Sequence, residues 1–268
     1  MQPKYIKIFL VLFFLPSLVF ASEIKEWQQK KSEHFVVYYT LPDQDSLAGE
    51  VSRMAEHYYK VLGELIGYIR YENFWTWDQR ALIYIYADQK NFMQKTGQPA
   101  WSSGGSADHS YLLKNRVIVT YVQADGFIDG VLPHEITHLV MRDFWGTGKD
   151  FPQWFDEGMA QLNETHKRDD VNRIFPKIIK IQGYIPIQVL QKMDVYRETD
   201  KNAVAIFYGQ SLSMVDFMIK IYGADQFAYF CRQLRDGGSF EESLRRAYPA
   251  FSSLEEFEKK WLRYMKNK

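Results

Sequence analysis

Leu132-Pro133-His134-Glu135-Ile136-Thr137-His138-Leu139-Val140 is the stretch from which the rest of the chain is read. Leu132, Ile136, Leu139 and Val140 recur at helical spacing and form an apolar stripe. Pro133 falls in a first turn, where its missing N–H costs least. Asp129 or Gly130 can act as N-cap and Gly146 as terminator, so the spacing predicts a helix over 130–145. On such a helix His134 and His138, four residues apart, share one face about 6 Å apart. Two imidazoles so placed can reach one ion with Zn–N bonds of about 2.0–2.1 Å. Glu135 stands beside the pair, where its carboxylate can take a proton from a water. The plain alternative is two surface histidines on a helix.

The next segment decides between them. Pro152-Gln153-Trp154-Phe155-Asp156-Glu157-Gly158-Met159-Ala160 reads as the start of a second helix after a Gly-containing turn. A catalytic zinc takes three protein donors and keeps one open position. Glu157, 19 residues after His138, could be brought against the histidines if the two helices pack side by side. Gly158 and Ala160 are small enough to let helices approach. Alone, Glu157 would read as a helix-start carboxylate favoured by the helix dipole.

H-E-x-x-H followed by W-x-x-E-G-x-A resembles the gluzincin metallopeptidases, the group of thermolysin and the zinc aminopeptidases, and most of all the bacterial peptidase MA-like domains. The close match spans 132–161 and a weaker one runs from about 34 to 261. The resemblance implies a zincin-like fold, one Zn2+ held by His134, His138 and Glu157, Glu135 as general base, and a peptide or protein substrate. It sets aside the metzincin branch, because the positions of that branch's glycine and third histidine hold Met141 and Phe144.

Related peptidases stabilise the oxyanion with a downstream Tyr or His, which makes Tyr208 the candidate and His166 the runner-up. Gln161, or else Asp156, is the candidate to hold a ligand imidazole in one tautomer. Gly104-Gly105-Ser106-Ala107-Asp108 lies where gluzincins place the sheet edge that receives substrate. It lacks the Glu-Asn pair of the aminopeptidase motif Gly-x-Met-Glu-Asn. Trp101, His109 and Tyr111 are candidate cleft residues, with surface packing the favoured reading. Hydrolysis of another amide, such as a cell-wall cross-link, is the alternative activity. A non-catalytic envelope binding protein on a peptidase scaffold is the alternative from another class, and an intact Glu135 argues against it.

Outside this region the chain reads as α+β. Phe35–Thr40, Ala81–Tyr86 and Arg116–Tyr121 are β-branched or aromatic and read as strands. Ser46–Leu65 carries a helical stripe and Asn91–Thr96 a short helix. Helices follow over 130–145, 154–167, 203–222, 225–235, 240–248 and 253–265, with Gly146, Gly223 and Gly237 at C-cap positions. The expected division is a signal peptide over 1–21, a zincin-like part over 22–160 bearing the H-E-x-x-H helix, and a helical part over 161–268 closing the cleft.

The 268 residues include 33 Lys+Arg and 33 Asp+Glu, so no bulk charge draws in nucleic acid or an anionic membrane. Lys4 and Lys7 precede an apolar run over 8–20 and Val19-Phe20-Ala21, the layout of a secretory signal peptide. The run is too short for a stable membrane span. Removal of residues 1–21 leaves 31 basic against 33 acidic residues, and the expected location is periplasmic or extracellular. Cys231 is the single cysteine, which excludes an internal disulfide; its apolar neighbours predict burial.

Overall fold

Alternate residues of a strand face opposite sides of a sheet, and here they divide between two apolar clusters. Phe35, Val37, Tyr39, Ala81, Ile83, Ile85 and Ile118 face a helical layer and belong to the main core. Tyr84, Tyr86, Val117 and Val119 face the other way, against Phe92 and Trp27. The computed structural model describes residues 27–40, 42–68, 75, 79–98, 100, 102–105, 116–146, 151–165 and 167–268. Met1–Ala21, Trp101, Ser106–Asp108, His109, Tyr111 and His166 lie outside the described residues.

The strands are β1 (Gln28–Lys31), β2 (Phe35–Tyr39), β3 (Ala81–Tyr86), β4 (Gly104–Gly105) and β5 (Val117–Tyr121). They form one sheet in the order β1-β2-β3-β5-β4. The three central strands run parallel, with Val37 opposite Ile83 and Ile83 opposite Ile118. The edge strands β1 and β4 are antiparallel to their neighbours. Helix α1 (Asp45–Ile66) connects the parallel pair β2 and β3 and packs on β2. α2 (Gln89–Thr96) follows β3, with Asp88 accepting from Asn91 N as its N-cap.

After β5 the chain is helical: α3 (Leu132–Trp145), α4 (Gln153–Gln161), α5 (Lys167–Lys180), α6 (Ile187–Leu190), α7 (Lys201–Tyr222), α8 (Ala224–Arg235), α9 (Phe240–Ala247) and α10 (Leu254–Lys266). Strands with one long helix, then helices, make the chain α+β and zincin-like, as its residues imply. α7 is long and apolar enough to cross a membrane. Its apolarity follows instead from its surroundings, because α4, α5, α8 and α10 all pack on it.

The structure corrects two readings and adds two elements that were not read. The helix bearing the histidines has no cap at Asp129 or Gly130; a π-helical turn, Phe127–Val131, begins at the left-handed Gly126 and runs straight into α3. The second helix does not reach residue 167 but ends at Gln161, and a separate α5 starts at Lys167. α5 contains Pro176, whose missing N–H and ring disfavour a helix interior. Its ring is buried beside Phe175 and Ile179, so packing overrides the lost hydrogen bond. β1 is a polar Gln-Gln-Lys-Lys edge strand with no sequence signature of its own.

Cys231 is fully buried, as expected, and burial pushes its thiol pKa up. The close approach predicted at Gly158 occurs, but between α4 and α7. A Cβ there would lie 2.5 Å from the Ser211 carbonyl oxygen and 2.8 Å from Val215 Cγ2. Backbone cannot yield cheaply, so Gly158→Ala is expected to lose about 1–3 kcal/mol of stability, read from the denaturation midpoint.

Candidate metal centre

The stripe Leu132, Ile136, Leu139 and Val140 is wholly buried and fixes the rotation of α3. The opposite side of the helix then carries His134 and His138. Their Nε2 atoms lie 3.1 Å apart. α4 packs on α3 and brings Glu157 Oε2 to 3.5 Å from His134 Nε2 and 3.9 Å from His138 Nε2. Donors bound at about 2.0–2.1 Å to a tetrahedral centre are roughly 3.3–3.4 Å apart, so these three atoms are spaced to share one ion. Glu157 is 1% exposed and its Oε2 is buried with no hydrogen-bond partner. A buried anionic oxygen without a donor is costly, and a cation at the convergence point would satisfy it. The His134, His138 and Glu157 set therefore fits a metal ion.

Further carboxylates hold both imidazoles. Asp156 Oδ2 lies 3.1 Å from His138 Nδ1, and Glu164 Oε1 lies 2.9 Å from His134 Nδ1. Each contact takes Nδ1 and leaves Nε2 for the shared point, which sets tautomer and ring orientation. Burial opposes a charge on His138, but Asp156, Glu157 and Glu135 outweigh it and push its pKa up to about 10. Asp156 is itself held below the usual carboxylate range, by the His138 charge and hydrogen bond acting against burial. The site is thus strongly negative around two imidazoles, the electrostatics that suit a dication.

Of the two candidates for this orienting role, Asp156 occupies it. Gln161 instead donates from Nε2 to the carbonyl oxygens of Glu157 and Tyr208, tying α4 to α7. Glu164 went unseen because its segment read as helix, whereas α4 ends before it. Thr165 N donates to the Asp129 carbonyl at 2.8 Å, which pins this turn to the π-helical entry of α3. The Asn163-Glu164-Thr165 run is the signal that could have marked the break.

Glu135 is buried beside β4, so that a Cβ on Gly105 would come within 3.7 Å of its Oε1. Gly104 allows β4 to lie close on β5, since a Cβ there would meet the Val119 carbonyl oxygen at 2.6 Å. The expected edge strand is thus next to the candidate base. Tyr208 is half-buried on α7, with its ring against Phe207. The Tyr196 hydroxyl reaches the cluster, donating to Glu157 Oε1 at 2.6 Å, and Tyr208 lies close enough to it to interact electrostatically. Burial, followed by the Glu157 charge and hydrogen bond, raises the Tyr196 pKa, so it stays a donor. Nothing distinguishes Tyr196 in the sequence from the other tyrosines.

No curated protein matches the chain. The profile of the Peptidase MA superfamily matches residues 75–267, which takes in α3, α4 and the helical half. With most of its length matched, including every residue of the candidate metal centre, the chain belongs to the Peptidase MA superfamily.

Proposed function

We propose that the chain is an exported, gluzincin-type zinc peptidase that hydrolyses peptide bonds with Glu135 as general base. Superfamily membership gives a metallopeptidase-type function. The zinc reading is carried by one observation, the convergence of His134 Nε2, His138 Nε2 and the unpartnered Glu157 Oε2. Zinc held by these residues would supply Lewis acidity and lower the pKa of a water toward about 7.

The chain's own groups do the rest. Glu135 takes the proton of the attacking water at a carboxylate oxygen and passes it to the leaving amine. Its place beside Gly105 supports this, because a peptide extended along β4 would pass close to the base. Asp156 and Glu164 keep both imidazoles oriented. Tyr208 is proposed to stabilise the oxyanion as it forms. The basic and apolar N-terminal segment supports export to a periplasmic or extracellular location.

Metal analysis of the purified chain is expected to give one zinc per chain. Digestion of a peptide library should stop on chelation and return when zinc is restored. A chain that carries zinc and cleaves no peptide would overturn the peptidase assignment.

A further inference from the structure

We infer that Tyr196 is a positioning residue for the metal: its hydroxyl occupies Oε1 of Glu157, so that the carboxylate meets the ion through Oε2 alone. The inference rests on the zinc site proposed above and adds to it how one ligand is held.

The two oxygens of Glu157 have different surroundings. Oε1 accepts from the Tyr196 hydroxyl at 2.6 Å. Oε2 is buried without a hydrogen-bond partner and faces both imidazoles. An ionised carboxylate can bind an ion through one oxygen or two. A short, charge-assisted hydrogen bond on one oxygen opposes the second mode and fixes the side chain's terminal torsion.

The turn that carries Tyr196 is fastened to the helix that carries Glu157. Val195 N donates to Gln153 Oε1 at 2.8 Å, and Gln153 is the first residue of α4. Val195 is buried. Asp194 Oδ1 accepts from Tyr196 N at 3.2 Å and caps the turn. Hydroxyl and carboxylate are therefore held on one unit, and motion of the turn relative to α3 would leave their distance unchanged. The residue as a whole is 62% exposed, with burial felt at the hydroxyl against Glu157, so Tyr196 adds little to the core. What it contributes is the hydroxyl.

Tyr196→Phe removes that hydroxyl and keeps the ring. Competition against a chromophoric chelator measures zinc affinity of the wild-type and variant chains. The variant is expected to bind zinc about 10–100-fold more weakly, the usual effect of losing an outer partner of a ligand. With Co2+ in place of zinc, its visible absorption should weaken as Oε1 joins the coordination shell and the coordination number rises. Wild-type zinc binding with an unchanged constant and spectrum in the variant would overturn the positioning role and leave the zinc site standing. Failure of the wild-type chain to bind zinc would overturn both. A variant that no longer folds by circular dichroism would also overturn the role, since an exposed residue that only orients a carboxylate is not needed for folding.

Discussion

Glu135→Gln is expected to take up one zinc per chain and to lose hydrolysis by about 10²–10⁴-fold, the range that a positioned general base contributes. The substitution keeps side-chain length and shape and removes only the ability to accept a proton. Glu135 is not among the three convergent donors, so metal uptake should survive. It is buried next to Gly105, so the amide fills the same space and the α3 backbone has no reason to move. One electrostatic cost is foreseeable. Glu135 helps to hold the positive field of His138, and its neutralisation removes one of the carboxylates that favour a dication. That would weaken zinc binding without changing stoichiometry, and excess zinc would compensate. Activity would not recover. Rates at saturating zinc, with metal content measured on the same sample, separate the two effects. Full activity in a zinc-loaded Glu135→Gln chain would show that another group takes the proton.

The region that mattered most could be read because two periodicities coincide in it. The apolar stripe of α3 specifies a helix, and the same rotation places His134 and His138 together. Burial of Leu132, Ile136, Leu139 and Val140 at 0% exposure shows the stripe oriented as its spacing requires. Glu157 could be paired with the histidines because it too sits on a helix, and packing of two helices leaves few ways to bring three donors to one point. The strands were similarly legible: the β-branched and aromatic content of Ala81–Tyr86 and Arg116–Tyr121 marked them, and continuous apolarity suits strands whose side chains divide between two cores.

Residues on turns escaped for the converse reason. Glu164 and Tyr196 touch His134 and Glu157 across 30 and 39 residues of chain. No local period encodes such contacts; the hydrogen bonds of Thr165 to Asp129 and of Val195 to Gln153 create them after the helices have packed. α5 was not read either, and at Pro176 a local rule about backbone donors gives no weight to a ring buried beside Phe175. The close approach at Gly158 was expected from residue size, yet size could not say which helix would fill the gap. Ser211 of α7 does.

His138→Ala is expected to abolish both stable zinc binding and hydrolysis, in contrast to Glu135→Gln. Loss of an outer carboxylate typically costs about 10–100-fold in metal affinity. Loss of a direct donor removes one of three bonds and should exceed that. The imidazole is also irreplaceable by its neighbours. Asp156 reaches Nδ1 rather than the shared point, so a small residue at 138 leaves that carboxylate facing a gap with no ring to orient. Glu157 Oε2 is left with His134 alone, at 3.5 Å. Two donors cannot define the position of an ion that must stand in fixed relation to Glu135. The measurement is zinc content after dialysis against a weak chelator, alongside peptide hydrolysis with zinc in excess. Retention of one zinc per chain by the folded variant would mean that the ion does not depend on His138 and is held elsewhere than between α3 and α4, and hydrolysis at the wild-type rate would remove His138 from the active centre.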